Sequence, residues 1–240
     1  MLIASIDIET TGLDPSWCQV LEVGIVLWET TDFVTPVDQL PSFHCYVVHD
    51  QIRGEPKALA MNARILDRIA DRSGDFLYLT PGQVAGVVGQ FLKDHAPGIT
   101  ELSPTGFNFD GFDRQFLRRL ANFRKLLTHR SLIPASLFFD PMIDTKLPGS
   151  NEVFRRAGVV VAPEDRHTAL GDARATIEVL RAGYKRRGGD GVAVPATPRC
   201  PECGDRKTVR VHIGFDGWQD EPCPACQTIA TAWGVIHSEN

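Results

Sequence analysis

The sequence predicts an α/β domain with a mixed sheet, followed by a small module held together by a metal ion. Three observations carry this expectation. The chain opens with three apolar, β-branched segments in succession. From about Glu101 strand and helix patterns alternate, and after Arg187 a Gly- and Pro-rich stretch leads into two Cys-x-x-Cys pairs. Consecutive strands followed by alternation give a sheet with antiparallel and parallel neighbours. With 240 residues, 43% hydrophobic and 23% charged, the chain has a globular composition and enough length for one full domain and a small attachment.

Leu2 to Ile8 (LIASIDI) reads as a buried strand that stops at Thr10-Thr11-Gly12. Val20 to Trp28 (VLEVGIVLW) and Phe43 to Val48 (FHCYVV) read as the second and third strands, with Pro36 and Pro41 marking the loop between them. The region from Gln51 to Thr80 is mixed and helical around Ala58 to Ala70, and Thr80-Pro81 introduces a helix over Val84 to Leu92. A short strand runs from Glu101 to Phe107, a helix from Phe112 to about Leu127, and a fifth strand from Leu137 to Ile143. Two helices follow, Ser150 to Ala157 and His167 to Arg187. In the second, Ala169, Leu170, Ala173, Ile177, Leu180 and Tyr184 recur at helical spacing. Gly188 to Pro198 follows neither period and reads as a linker, which divides the chain into residues 1–187, 188–198 and 199–240.

The formal charge of −5 excludes a basic protein held on nucleic acid by bulk electrostatics. The part before Asp190 carries 21 basic and 23 acidic residues and the remainder 4 and 7, so any nucleic-acid contact must come from a local site. Met1 to Asp7 has no basic region of the kind that opens a signal peptide. One of the two longest stretches without Asp, Glu, Lys or Arg, Pro222 to Ser238, is broken by prolines, cysteines and a histidine. The expectation is a cytoplasmic protein with no membrane contact.

Asp7 and Glu9 lie two apart on one strand, so their side chains leave the same face of the sheet. Two like charges in a partly buried position are costly unless a cation lies between them, and oxygen ligands favour Mg²⁺ or Mn²⁺. Asp113 stands at a helix start, where backbone N–H groups help hold a carboxylate. Asp110 is a spare acid nearby, and Asp113 is preferred because only it is followed by x-x-Phe-Leu on a helical face. His167 lies at the mouth of the last helix and Asp172 more than one turn along it.

In this order, Asp7-Ile8-Glu9-Thr10-Thr11-Gly12-Leu13, Phe112-Asp113-x-x-Phe116-Leu117 and His167-x-Ala169-Leu170-x-Asp172-Ala173 resemble the three motifs of the DEDDh 3′–5′ exonucleases. That family has a ribonuclease H-like fold and includes polymerase proofreading subunits, RNase T and oligoribonuclease. The resemblance covers residues 1 to about 187, and the histidine five residues before the last aspartate resembles the His branch. Asp144-Thr145 resembles an Asp-Thr that members often carry between the second and third motifs. Asn108 lies five residues before Asp113, as in oligoribonuclease-like members, whereas many proofreading-type members have it four before. Residues 51–100 match nothing specific.

The resemblance implies a mixed five-stranded sheet flanked by helices, with Asp7, Glu9, Asp113 and Asp172 holding two Mg²⁺ or Mn²⁺ ions and His167 as general base. It implies that Thr10, Thr11, Gly12, Leu13 and Asn108 contact the terminal nucleotide of a single-stranded 3′ end, with core packing as the alternative for Leu13. Arg114, Arg118, Arg119, Arg124, Lys125 and Arg130 either guide the strand or form a solvated face. DNA is slightly favoured as substrate, with an exoribonuclease of the oligoribonuclease or RNase T kind as the alternative. The reading from another class is a catalytically silent binding module, against which all five acidic and histidine positions are filled.

Cys200, Cys203, Cys223 and Cys226 give Cys-x2-Cys-x19-Cys-x2-Cys, a spacing that suits one structural tetrahedral Zn²⁺. Val209, Val211 and Ile213 alternate between the pairs as in the strands of a zinc ribbon. A segment of this size has too small a core to stand without a staple. Its role stays open between stabilisation, protein contact and substrate orientation through Phe215, Trp218 and Trp233.

Overall fold

The structure is a computed structural model that describes residues 1–72, 74–162 and 165–187 and the backbone of 208–212 and 218–222. It divides into two units, Met1–Gly191 and Val192–Asn240. The first is built on a five-stranded mixed sheet. β1 (Leu2–Thr10), β2 (Val20–Glu29) and β3 (Ser42–Val47) are antiparallel neighbours; β4 (Tyr78–Leu79) and β5 (Pro104–Thr105) add parallel pairs at the two edges, in the order β4-β3-β2-β1-β5.

The alternation of β1 decides where its acids point. Ala4, Ile6 and Ile8 face a core shared with Val88, Phe91 and Leu92 of α3 (Val84–His95) and with Phe116 and Leu117 of α4 (Asp113–Leu117). Ile3 faces the other way, into a core with Ala173, Ile177 and Leu180 of α6 (Ala169–Arg186). With a period of two, Asp7 and Glu9 share the face of Ile3 and emerge at the start of α6. Both faces of the sheet are covered, and every residue of β2 from Val20 to Trp28 is buried.

Between β3 and β4 lie α1 (Pro56–Met61) and α2 (Ala63–Asp71), the first opened by a proline where no N–H is needed. α5 (Ser150–Ala157) ends at Gly158, whose φ of 69° supplies the left-handed cap. Gly24 is demanded by a close approach, since a Cβ there would lie 2.3 Å from the carbonyl carbon of Ala169. The first turn of α6 therefore rests directly on the backbone of β2.

Two expected elements differ. The helix beginning near Phe112 is only α4, Asp113–Leu117. Asn122 takes φ 63° and a 3₁₀ turn follows at Phe123–Leu126, because Leu120, Phe123 and Leu127 must all turn into the α3-side core. Leu137 to Ile143 is not a strand. Pro141 interrupts it, Met142 and Ile143 are 88% and 72% exposed, and Asp140 donates its N–H to the Asp144 carboxylate at 2.9 Å to close a turn. Asp144 is paired with Arg156. The fifth strand is instead the two-residue β4, too short to leave a period in the sequence.

In the second unit, β6 (Thr208–His212) and β7 (Trp218–Pro222) are antiparallel, paired from Thr208↔Pro222 to His212↔Trp218. Cys200, Cys203, Cys223, Cys226 and the linker lie outside the described residues. Among the described residues no helix is long and apolar enough to cross a membrane.

Gly24→Ala tests the β2–α6 contact. With backbone as the obstacle, the added methyl is expected to cost about 1–3 kcal/mol in urea unfolding, and an unchanged midpoint would contradict the contact.

Candidate active site

Three segments distant in sequence bring their acids together where β1 ends. Asp7 and Glu9 come from β1, Asp113 from the first residue of α4 and Asp172 from the first turn of α6. Ligand atoms of Glu9, His167 and Asp172 lie within 4.8 Å of one another. Asp113 is buried and its carboxylate accepts the backbone N–H of Ile8, which ties α4 to β1 between the two strand acids. Thr168 opens α6, its Oγ1 accepting the Gly171 N–H at 3.2 Å. His167, just before it, has φ 59°, an uncommon left-handed conformation for a non-glycine residue, and its side chain is exposed.

The electrostatics follow from crowding and desolvation. Burial first, then Asp113, Asp172, Glu9 and Glu22, drive the Asp7 carboxyl well above the usual range. Burial and then Glu22 and Asp172 push Glu9 up to about 8, against a hydrogen bond from Asn62. Burial raises Asp113 to about 7, opposed by backbone N–H groups. Asp172 is raised by burial, against the pull of His167 and Arg166. These carboxyls repel their own ionised forms, a cost that a hard divalent cation removes. The all-oxygen donor set, with one imidazole at its edge, therefore fits Mg²⁺ or Mn²⁺.

The loop after β1 is fastened to the rest of the protein. Thr10 and Thr11 are buried, and their hydroxyls are spent within the protein, on Gly12 O at 2.8 Å and Arg53 O at 2.5 Å. Gly12 is required by packing, since a Cβ would lie 2.5 Å from Cys18 Sγ and 2.8 Å from the Glu55 carboxyl. Leu13 is 73% exposed, which removes core packing as its role. Asn108 is exposed, and its backbone carbonyl accepts the Phe112 N–H at 2.9 Å. Asp110 lies outside the cluster, bonded to Arg114 at 2.5 Å and to Ser131. Arg114 is buried and also donates to Thr128 O, so it offers no basic surface; Arg118 and Arg119 are exposed.

Two residues at the site have no place in the motifs. Asn62 is buried and its amide donates to Thr10 O at 2.9 Å as well as to Glu9. Glu22 is the register partner of Glu9 on β2, is 1% exposed, and bonds His44 Nε2 and Ala169 N. The available signal for Glu22 was a single acid within an otherwise apolar strand, whereas Asn62 left none.

No protein-family model and no curated protein sequence matches the chain. Solved structures do. E. coli Exonuclease I in complex with a dT13 oligonucleotide matches with a TM-score of 0.55 at 13% identity, over 78% of this chain and 42% of that one. The zinc ion-bound form of the E. coli Exonuclease I–ssDNA complex gives 0.56 at 14% identity, covering 78% and 41%. Exonuclease I from Methylocaldum szegediense gives 0.55 at 17% identity, again covering 78% and 41%. The chain shares the fold of these structures, a mixed five-stranded sheet flanked by helices. This chain spans about two fifths of the length of those structures.

The raised carboxyls set a pH signature for the metal-free protein. Between the ordinary carboxylate range near about 4 and about 8, where Glu9 titrates, the folded state holds more protons than the unfolded state. Stability therefore falls as pH rises through that window. In EDTA, Tm is expected to drop from pH 5 to pH 8, added Mg²⁺ or Mn²⁺ to restore it more at pH 8, and Asp113→Asn to flatten the slope. A Tm indifferent to both pH and divalent ion would contradict a shared cation site.

Proposed function

We propose that this chain is a divalent-metal-dependent 3′–5′ exonuclease that releases nucleoside monophosphates from single-stranded nucleic acid. The observation that carries this reading is the convergence of Asp7, Glu9, Asp113 and Asp172, all with raised carboxyls, beside His167 on an exonuclease fold. The four carboxylates would hold two Mg²⁺ or Mn²⁺ ions. Bound there, the ions would supply Lewis-acid neutralisation of phosphate charge and a more acidic water. A ring nitrogen of His167 would take the proton from that water as its oxygen attacks the terminal phosphorus. The P–O3′ bond would break as the new P–O bond forms, and the departing O3′ would take a proton from solvent, leaving the shortened strand with a 3′ hydroxyl. Neutralised acids also explain how a chain of net charge −5 accepts a polyanion.

Leu13, the backbone of Thr10 to Gly12 and Asn108 would contact the terminal nucleotide. Two of the solved structures of similar fold are complexes with a dT13 oligonucleotide or single-stranded DNA, which supports DNA as substrate; the Asn108 spacing favours RNA as the second reading. For the second unit we propose one structural Zn²⁺ held by Cys200, Cys203, Cys223 and Cys226, on the strength of their spacing. A protein partner of that unit is part of the same proposal.

End-labelled single-stranded DNA and RNA of equal sequence, digested with Mg²⁺ or Mn²⁺, test the activity. His167→Ala is expected to slow mononucleotide release by about 10²–10⁴-fold and Asp7→Ala to abolish it. Release that survives both substitutions would overturn the mechanism, and a protein that binds both strands without cutting either would be a binding module. Metal analysis of the full chain is expected to find one zinc, lost in Cys200→Ser; substoichiometric zinc in freshly purified protein would defeat the second assignment.

A further inference from the structure

We propose that Glu22 is the positioning residue that locks the helix carrying Asp172, with His167 at its mouth, onto the sheet carrying Asp7 and Glu9. The proposal deepens the nuclease reading and rests on it only for its kinetic arm.

A carboxylate at 1% exposure, inside a strand that is otherwise apolar, costs several kcal/mol unless its oxygens are occupied. Both are. Oε1 lies 2.5 Å from Nε2 of His44 on the neighbouring strand β3, and Oε2 accepts the backbone N–H of Ala169 at 3.2 Å. The His44 ring is itself held edge-on by Tyr46 and Phe76. Ala169 is the first residue of α6, so its N–H is one of the four donors that a helix start leaves unpaired.

The helix start thus has two caps of different kinds. Thr168 bonds within its own turn and shapes it. Glu22 reaches from a strand and fixes where that turn sits on the sheet. Gly24, two residues on and on the same face, lets the backbones touch. The contact at Gly24 sets the distance of α6 from the sheet, and the bond from Glu22 stops it from sliding. His167 is two residues before Ala169 and Asp172 three after, while Glu22 pairs in register with Glu9. A slide of α6 by one ångström would separate the histidine and the last carboxylate from the strand acids, a misplacement worth on the order of 100-fold in rate.

A role for Glu22 as a fifth ligand is distinguishable from positioning. Glutamine can keep both bonds, accepting from Ala169 N with Oε1 and donating from its amide to neutral His44, but it removes the charge. Methionine keeps the volume, leaves no cavity and removes both bonds.

The test compares Glu22→Met and Glu22→Gln with the unaltered full-length chain. Amide hydrogen exchange without nucleic acid is expected to speed up about 10-fold or more at Ala169 and Leu170 in Glu22→Met, with the rest of α6 still protected. In Glu22→Gln it should stay within about 3-fold of the unaltered chain. With oligonucleotide substrate, Glu22→Met is expected to lose about 10- to 100-fold in kcat at nearly constant KM, and Glu22→Gln to retain most of it. Unchanged exchange in Glu22→Met would overturn the proposal. So would a Glu22→Gln protein as impaired as Glu22→Met, which would assign the role to the charge. If the unaltered protein cuts no nucleic acid the functional reading fails, and the exchange comparison alone decides the place of Glu22.

Discussion

Charge crowding on a covered strand end organises this molecule. β1 is sandwiched between α6 on one face and α3 with α4 on the other, so acids on it have little water to share. The fold nevertheless delivers two more carboxylates to the same place, from α4 and α6, and sets Glu22 next to them. Repulsion and desolvation together make the cluster unfavourable in itself, by an amount that depends on how many of the acids are ionised. A folded chain can carry such a burden only if the surrounding contacts are strong or a cation shares it. The flanking cores are extensive here, and the oxygen-rich cluster suits a hard divalent ion.

The same constraint explains why local fixings are so dense around the site. Asp113 is tied to Ile8 N–H, Glu9 to Asn62, Ala169 to Glu22, and the Thr10–Leu13 loop to Arg53 and Glu55. Each joins two elements that meet nowhere else in sequence. Repelling groups drift apart unless their backbones are held, and the hydrogen bonds that do the holding sit immediately behind the acids.

What could be read from the sequence depended on how local the signal was. β1, β2, β3, α3, α5 and α6 carry long periodic or β-branched runs and stand close to where the pattern put them. The helix from Phe112 was overextended, because Leu120, Phe123 and Leu127 look helical by spacing but reach the core only after Asn122 reverses the chain. Phe138 and its apolar neighbours suggested a strand that Pro141 forbids. β4 has two residues and could not announce itself. At the site, Asp7, Glu9, Asp113, His167 and Asp172 stood out through the order of three motifs, and their mutual distances were beyond any sequence pattern. Glu22 and Asn62 act through contacts 147 and 52 residues away in the chain, and nothing near them in sequence marks that.

The shortness of α4 bears on how the cluster is held together. Five residues cannot form a stable helix alone, so Asp113 is held in place by Phe116 and Leu117 in the core beneath it. One acid of the cluster is thus anchored by an element that exists only while that core is intact, whereas Asp7 and Glu9 belong to a strand paired along its whole length. Asp113 therefore owes its place to tertiary packing, while Asp7 and Glu9 owe theirs to strand pairing, so the cluster is complete only where helix, core and sheet are all in place.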